Sequence, residues 1–333
     1  MKVRNVGAGT HDAGQDAVKV CVIGAGAIGG WIAARVALAG CDVSLVARGD
    51  TLRAIETEGL RITDQGETRC VAVATAADPA LLGQHDVVVV AVKAPALERV
   101  APMLEPLIGR DTLIVPMLNG VPWWFTGDLL TSVDPDAIIA DSLPIEQLVG
   151  CVVHASCRRE APNEVFVVHA EKLILGEPDG GLSERVERLC SLFRNSGIHC
   201  EPSDEIRREI WYKLWGNATV NPLSALTRSA ADKLHDDPVL SRWIAEAMDE
   251  LAAVGAAIGC PIGETAEDRM AVTARLGAFK TSMLQDLEAG REIEVEALLG
   301  APREIAALAG IETPQLDRIY AMTRLLGENM ELL

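Results

Sequence analysis

Gly24, Gly26 and Gly29 are spaced G-x-G-x-x-G, and that spacing points most directly to chemistry in this chain. A glycine turn that opens a helix offers bare backbone N–H groups and the positive end of a helix dipole. Together these suit the pyrophosphate of a dinucleotide. The loop that would form the cradle is Gly24, Ala25, Gly26, Ala27, Ile28 and Gly29. Arg48 stands about twenty residues on, where an NAD site places a carboxylate for the ribose hydroxyls. A guanidinium there suits a 2′-phosphate instead, so the two features together read as an NADPH site, the alternative for Arg48 being a solvated loop arginine. Lys213, Asn217 and Asn221 are four apart and share one face of any helix that carries them. One ammonium and two amides beside Trp215 and Leu223 form either a ligand-facing row or a solvated stripe. Ser282 and Glu294 are a second polar pair, able to converge only if two helices fold back as a hairpin. Asn119-Gly120 reads as a turn after an apolar run, and Lys93 directly follows another.

The elements that must hold these groups can be read from the pattern. Residues 18–23 form an apolar strand, the glycine loop opens a helix that Gly40 stops, and residues 42–47 form a second strand. That is a βαβ unit. Residues 86–92 (DVVVVAV) have the branched composition of a strand buried on both faces. Further strands are expected at 71–75, 112–117, 137–140 and 151–155, with a hairpin or meander over 164–169 and 172–175. Helices are expected at 98–107 and 183–196. Beyond residue 203 the spacing becomes helical throughout, at 204–221, 224–234, 238–258, 266–288, 293–309 and 314–328, with Pro222 ending or kinking the first. The expected organisation is a flexible extension over 1–17, an α/β domain over 18–203 and an all-helical domain over 204–333. In such a fold a ligand lies beyond the carboxyl ends of the strands.

Composition narrows the partners. The chain has 333 residues, 49% of them hydrophobic, and a formal net charge of −18. That balance argues against nucleic acid and anionic membrane surfaces, and leaves an anionic cofactor to be attracted by local cations such as Arg48. The eight cysteines show no paired metal or redox spacing, so no metal site is expected and the thiols read as reduced residues of a cytoplasmic protein. No apolar run is long enough for a membrane helix, and the first seventeen residues lack the apolar core of a secretory signal. None of the six histidines falls in the polar constellations, which counts against a His–Asp proton relay.

Taken together, GAGAIGG at 24–30, Arg48, Lys93, LNGVPWW at 118–124, KLWGNATVNPLSAL at 213–226 and SMLQDLEAGREIEVEALLG at 282–300 resemble the ketopantoate reductase (2-dehydropantoate 2-reductase) family. The resemblance runs in order from about residue 18 to the end, and its last two motifs are far more specific than the glycine loop. Leu118 departs from it, since the family often has glutamine before Asn-Gly. The resemblance implies a Rossmann-type N-terminal domain and an all-α C-terminal domain like that of 6-phosphogluconate dehydrogenase. It implies that Lys213 is the proton donor, and that Glu294 holds the substrate hydroxyl and keeps Lys213 charged and oriented. Asn217, Asn221 and Ser282 would grip hydroxyl and carboxylate oxygens. Asn119 would bridge nicotinamide ribose and substrate, with Arg48 and Lys93 at the 2′-phosphate end. The implied reaction is NADPH-dependent reduction of 2-dehydropantoate to pantoate, on the route to pantothenate and coenzyme A. A reductase of another branched 2-keto acid is the near alternative. A non-catalytic NADP(H)-sensing protein is the distant one, and it should lack a complete proton donor and carboxylate grip. The expected partners are a small 2-keto acid and a second copy of the chain, paired through the late helices as a homodimer.

Overall fold

The computed structural model describes residues 4–5, 17–274 and 277–333. The extension expected over 1–17 therefore lies almost wholly outside the described residues. The chain divides into two compact units. The first comprises residues 1–92, 96–118 and 138–206; the second comprises 93–95, 119–137 and 207–333.

Among the described residues the strands, all in the first unit, are β1 (Arg4–Asn5), β2 (Lys19–Ile23), β3 (Asp42–Val46), β4 (Leu60–Asp64), β5 (Glu67–Val71), β6 (Ala74–Ala76), β7 (His85–Val90), β8 (Ile108–Pro116), β9 (Gly150–Ala161), β10 (Glu164–Gly176) and β11 (Cys200–Ser203). One sheet is parallel throughout, in the order β6-β3-β2-β7-β8. Its first strand in sequence, β2, lies at the centre and the chain winds outward to both sides, which is the doubly wound dinucleotide-binding order. The other sheet runs β1-β5-β4-β10-β11, with β9 antiparallel to β10. Helix α1 (Ala27–Leu38) is apolar almost all round, and such a helix must be covered on more than one side. Its Trp31, Ile32 and Val36 pack in one core with Val22, Leu45 and Val89 of the parallel sheet and Leu60, Val165 and Leu173 of the other. Further along come α2 (Gly49–Glu58), α3 (Ala94–Val100), α4 (Ile138–Ser142) and α5 (Glu184–Asn195), the last capped by Ser183 on the Val186 N–H.

The second unit is helical: α6 (Ile206–Thr227), α7 (Ala231–Asp236), α8 (Pro238–Ala257), α9 (Ala266–Ala274), α10 (Ser282–Glu288), α11 (Ala301–Leu308) and α12 (Pro314–Met330). Two indoles anchor α6 to α8. Trp211 Nε1 donates to the Leu251 carbonyl at 3.0 Å, and Trp215 Nε1 to that of Met248 at 2.7 Å. No helix among the described residues is long and apolar enough to cross a membrane.

Several elements differ from the sequence reading. Residues 137–140 begin a short helix, not a strand, since a brief apolar run does not distinguish the two. The two strand segments expected over 164–175 are one strand, β10, with irregular register at Val167/His169 and Ala170/Lys172. Of the two outcomes expected at Pro222, ending or kinking, ending does not occur: helix α6 runs through it to Thr227. The proline costs about 3 kcal/mol, but Val220 and Leu223 on either side are buried, at about 1.5–3 kcal/mol each. Residues 266–288 are two helices, with Thr281 capping the second on the Leu284 N–H. A wide π turn at Glu296–Gly300 precedes α11.

Candidate active site

In the first unit, the glycine loop is built as its spacing requires. Gly24 has φ +99°, a backbone that side-chain-bearing residues rarely adopt, and a Cβ there would lie 2.9 Å from the Ala91 carbonyl oxygen. A Cβ on Gly29 would strike the Gly24 carbonyl at 1.9 Å. At Gly26 a Cβ would meet nothing within 4 Å, so this glycine leaves open space. Gly26 is also the N-cap of α1, and neither a capping side chain nor an acidic residue occupies that helix's first turn. Ala27 and Ile28 begin the helix. Uncapped N–H groups, open space and a dipole end together fit a pyrophosphate. The adjoining cavity is about 220 Å³ and is lined by Gly24, Ala25, Gly26, Arg48, Thr51 and Arg159, among others. Arg48 is exposed at the head of α2, and the carboxylate nearest to it in sequence, Asp50, pairs with Arg53 instead.

In the second unit, three polar residues from distant parts of the chain meet, with one backbone N–H beside them. Lys213 Nζ donates to Asn119 Oδ1 at 2.9 Å. Asn119 Nδ2 in turn faces Glu294 Oε2 at 3.5 Å, and Glu294 Oε1 accepts the Ala94 N–H at 3.3 Å. Asn119 therefore stands between the ammonium and the carboxylate, linking the two residues expected to act together. The turn that carries it is pinned from behind. The Val121 N–H donates to the Ala297 carbonyl of the π turn at 2.8 Å. Gly120, at φ +82°, brings its backbone so close that a Cβ would lie 2.3 Å from that same oxygen. The π turn thus pins the backbone that carries Asn119. Lys213 and Asn217 are half-buried and Asn221 is buried, so the row on α6 is not a solvated stripe. Ser282 is exposed at the first position of α10, and no hydrogen bond among the described residues ties it to the cluster.

Lys93, placed by resemblance at the 2′-phosphate end, belongs to the second unit, where its ammonium lies 2.8 Å from Asp286 Oδ2 and donates to the Glu292 carbonyl at 2.7 Å. The physical reason is the demand of two buried carboxylates, Asp286 and Glu294, for a nearby cation. Asp286, which also accepts from Arg291 Nε at 2.9 Å, was not singled out in the sequence. Its signal was there to find, one helical turn after Ser282 inside the SMLQD motif.

Burial raises the pKa of Glu294 above the ordinary carboxylate value. The Ala94 N–H, the Lys93 charge and Asn119 pull the other way, and the neighbouring Asp286 charge adds to the rise. A carboxyl whose pKa is raised by folding contributes stability fully below its unfolded value and loses it as pH climbs through the folded one. Glu294→Gln should therefore melt closest to the unmutated protein below about pH 4.5, with the gap widening in the variant's favour at higher pH. Melting curves across that range check this, and a gap independent of pH would show that Glu294 ionises without penalty.

Two family models account for most of the sequence. Residues 20–180 match the model described as ketopantoate reductase PanE/ApbA, and residues 205–327 match its C-terminal counterpart. The chain belongs to the ketopantoate reductase family. A 2-dehydropantoate 2-reductase of Mesorhizobium japonicum is 39% identical over 321 residues, covering 93% of this chain and 98% of the relative. A crystal structure from Ralstonia solanacearum MolK2, provisionally assigned to ketopantoate reductases, is 46% identical with a TM-score of 0.92, covering 95% and 99% of the two chains. A dimeric ketopantoate reductase from Staphylococcus aureus shares the fold, with a TM-score of 0.74 at 22% identity over 94% of this chain and all of the other. The fold class read from the sequence, a Rossmann-type α/β domain followed by a helical one, is that of the family.

Proposed function

We propose that this protein reduces 2-dehydropantoate to pantoate with NADPH. The observation that carries the reading is the Lys213–Asn119–Glu294 linkage in a chain of this family. A ketone that accepts hydride gathers negative charge on its oxygen. An ammonium placed there stabilises that charge and then delivers the proton. NADPH, when bound, supplies the hydride. Lys213 is the proton donor, oriented by its bond to Asn119. Asn217 and Asn221 lie one and two turns along the same face of α6 and grip the carboxylate oxygens. Glu294 takes the substrate hydroxyl, for which its buried carboxyl is an unusually strong acceptor. Ser282, at the head of α10, completes the grip. On the first unit, the glycine loop holds the pyrophosphate and Arg48 the 2′-phosphate. Lys93 is held by Asp286 and the Glu292 carbonyl, beside the buried Glu294 carboxylate. A sensor without chemistry would have no use for a full set of donor, bridge and carboxylate.

A panel of 2-keto acids assayed by NADPH oxidation tests the substrate. Ketopantoate should be reduced with the highest kcat/KM, because its hydroxyl meets a site that leaves polar groups unpaired without it. Equal rates with a branched 2-keto acid lacking the hydroxyl would move the assignment to that substrate class. The reading places the reaction in the cytoplasm, where NADPH is available and the eight free thiols stay reduced. It also includes a homodimer. On α12, Met322, Leu325 and Met330 leave 40%, 54% and 40% of their surface exposed, and a dimeric relative shares the fold. Light scattering should give twice the 35.5 kDa chain mass; a monomer at micromolar concentration would contradict it.

A further inference from the structure

We propose that Arg159 is a second cationic contact for the 2′-phosphate of the cofactor and shares with Arg48 the choice of NADPH over NADH. The proposal rests on the NADPH reading and extends it to a residue that neither the glycine motif nor the spacing around Arg48 reveals. Arg159 lies on β9 and lines the same cavity as Gly24, Gly26 and Arg48. Its Nη1 donates to Thr51 Oγ1 at 3.3 Å, across 108 residues of sequence. Thr51 is the third residue of α2, whose N-cap is Arg48 itself and whose first turn has no capping side chain. Two guanidiniums, a hydroxyl and the N-terminal end of a ten-residue helix therefore border one cavity.

The nearby carboxylates are already engaged. Asp50 pairs with Arg53, and Glu160 pairs with Arg158, which also lies over the Phe166 ring at 4.2 Å. Successive residues of a strand point to opposite faces, so Arg158 and Arg159 diverge. Among the described residues no carboxylate pairs with Arg48 or Arg159. In a chain with a net charge of −18, two cations left without carboxylates at one cavity suit an anion of high charge density. A phosphate monoester satisfies both, because guanidinium groups bind its oxygens in pairs. The unphosphorylated ribose of NADH offers neither charge nor paired acceptors.

Binding alone tests this, by fluorescence titration of the full chain with NADPH and with NADH and no substrate present. Arg159→Ala should raise the Kd for NADPH by about 10- to 100-fold, the range for a lost charge-assisted bond, and leave that for NADH unchanged. Arg159→Lys, which keeps the charge and loses the fork, should fall between the two for NADPH. An unchanged NADPH affinity in Arg159→Ala would overturn the proposal. A parallel loss for NADH would do so too, since that is the mark of a disturbed fold or pocket. Equal binding of both cofactors by the unmutated protein would overturn it together with the NADPH reading. Failure to turn over ketopantoate would leave these affinities untouched, so the two readings fail separately.

Discussion

Lys213→Ala should lower turnover of 2-dehydropantoate by about 10²–10⁴-fold, the range supplied by a positioned general acid. NADPH affinity should be nearly unaffected, because the glycine loop, Arg48 and the cavity beside them are built from residues of the first unit. The loss has two parts. The ammonium proposed to stabilise the developing oxyanion and protonate it is gone, and Asn119 loses the donor at its carbonyl oxygen. Glu294→Ala should behave differently. It removes the proposed acceptor for the substrate hydroxyl, so KM should rise as well as kcat fall. With a substrate that lacks this hydroxyl, the Glu294→Ala effect should shrink while the Lys213→Ala effect stays large. Steady-state kinetics with both substrates separates the two roles. Near-normal turnover of Lys213→Ala at saturating ketopantoate and NADPH would remove Lys213 from the chemistry.

Arg48→Asp should erase or reverse the preference for NADPH. The unmutated protein should favour NADPH over NADH by about 10- to 100-fold in kcat/KM, from one charge-assisted phosphate contact of about 1.5–3 kcal/mol. The aspartate would repel the 2′-phosphate and accept from the free ribose hydroxyls instead. Arg48 is exposed at the head of α2, so the exchange leaves the core untouched. Initial rates with the two cofactors decide it, and equal efficiency with both in the unmutated protein would contradict the assignment.

What could be read from the sequence depended on how local its cause was. The glycine loop, α1 and the two strands around it were legible because turn, helix start and hydrophobic pattern sit within about thirty residues. The row Lys213–Asn217–Asn221 was legible because helical spacing alone puts the three on one face. The bridge through Asn119 was not, since it depends on Gly120 docking against the Ala297 carbonyl of a π turn far along the chain. The partners of Lys93 were hidden for a related reason: Asp286 and Glu292 lie almost two hundred residues away, and only the fold reveals them. The run of α6 through Pro222 reflects burial outweighing a local rule.

The most direct test of the central claim is the fate of the hydride. NADPH deuterated at both C4 positions would be incubated with 2-dehydropantoate and the purified protein, and the product analysed by mass spectrometry and proton NMR. Pantoate should appear in step with NADPH consumption and carry one deuterium, at C2, with the new hydroxyl proton drawn from Lys213 and so from solvent. NADPH left unconsumed, or pantoate formed without deuterium at C2, would contradict the account.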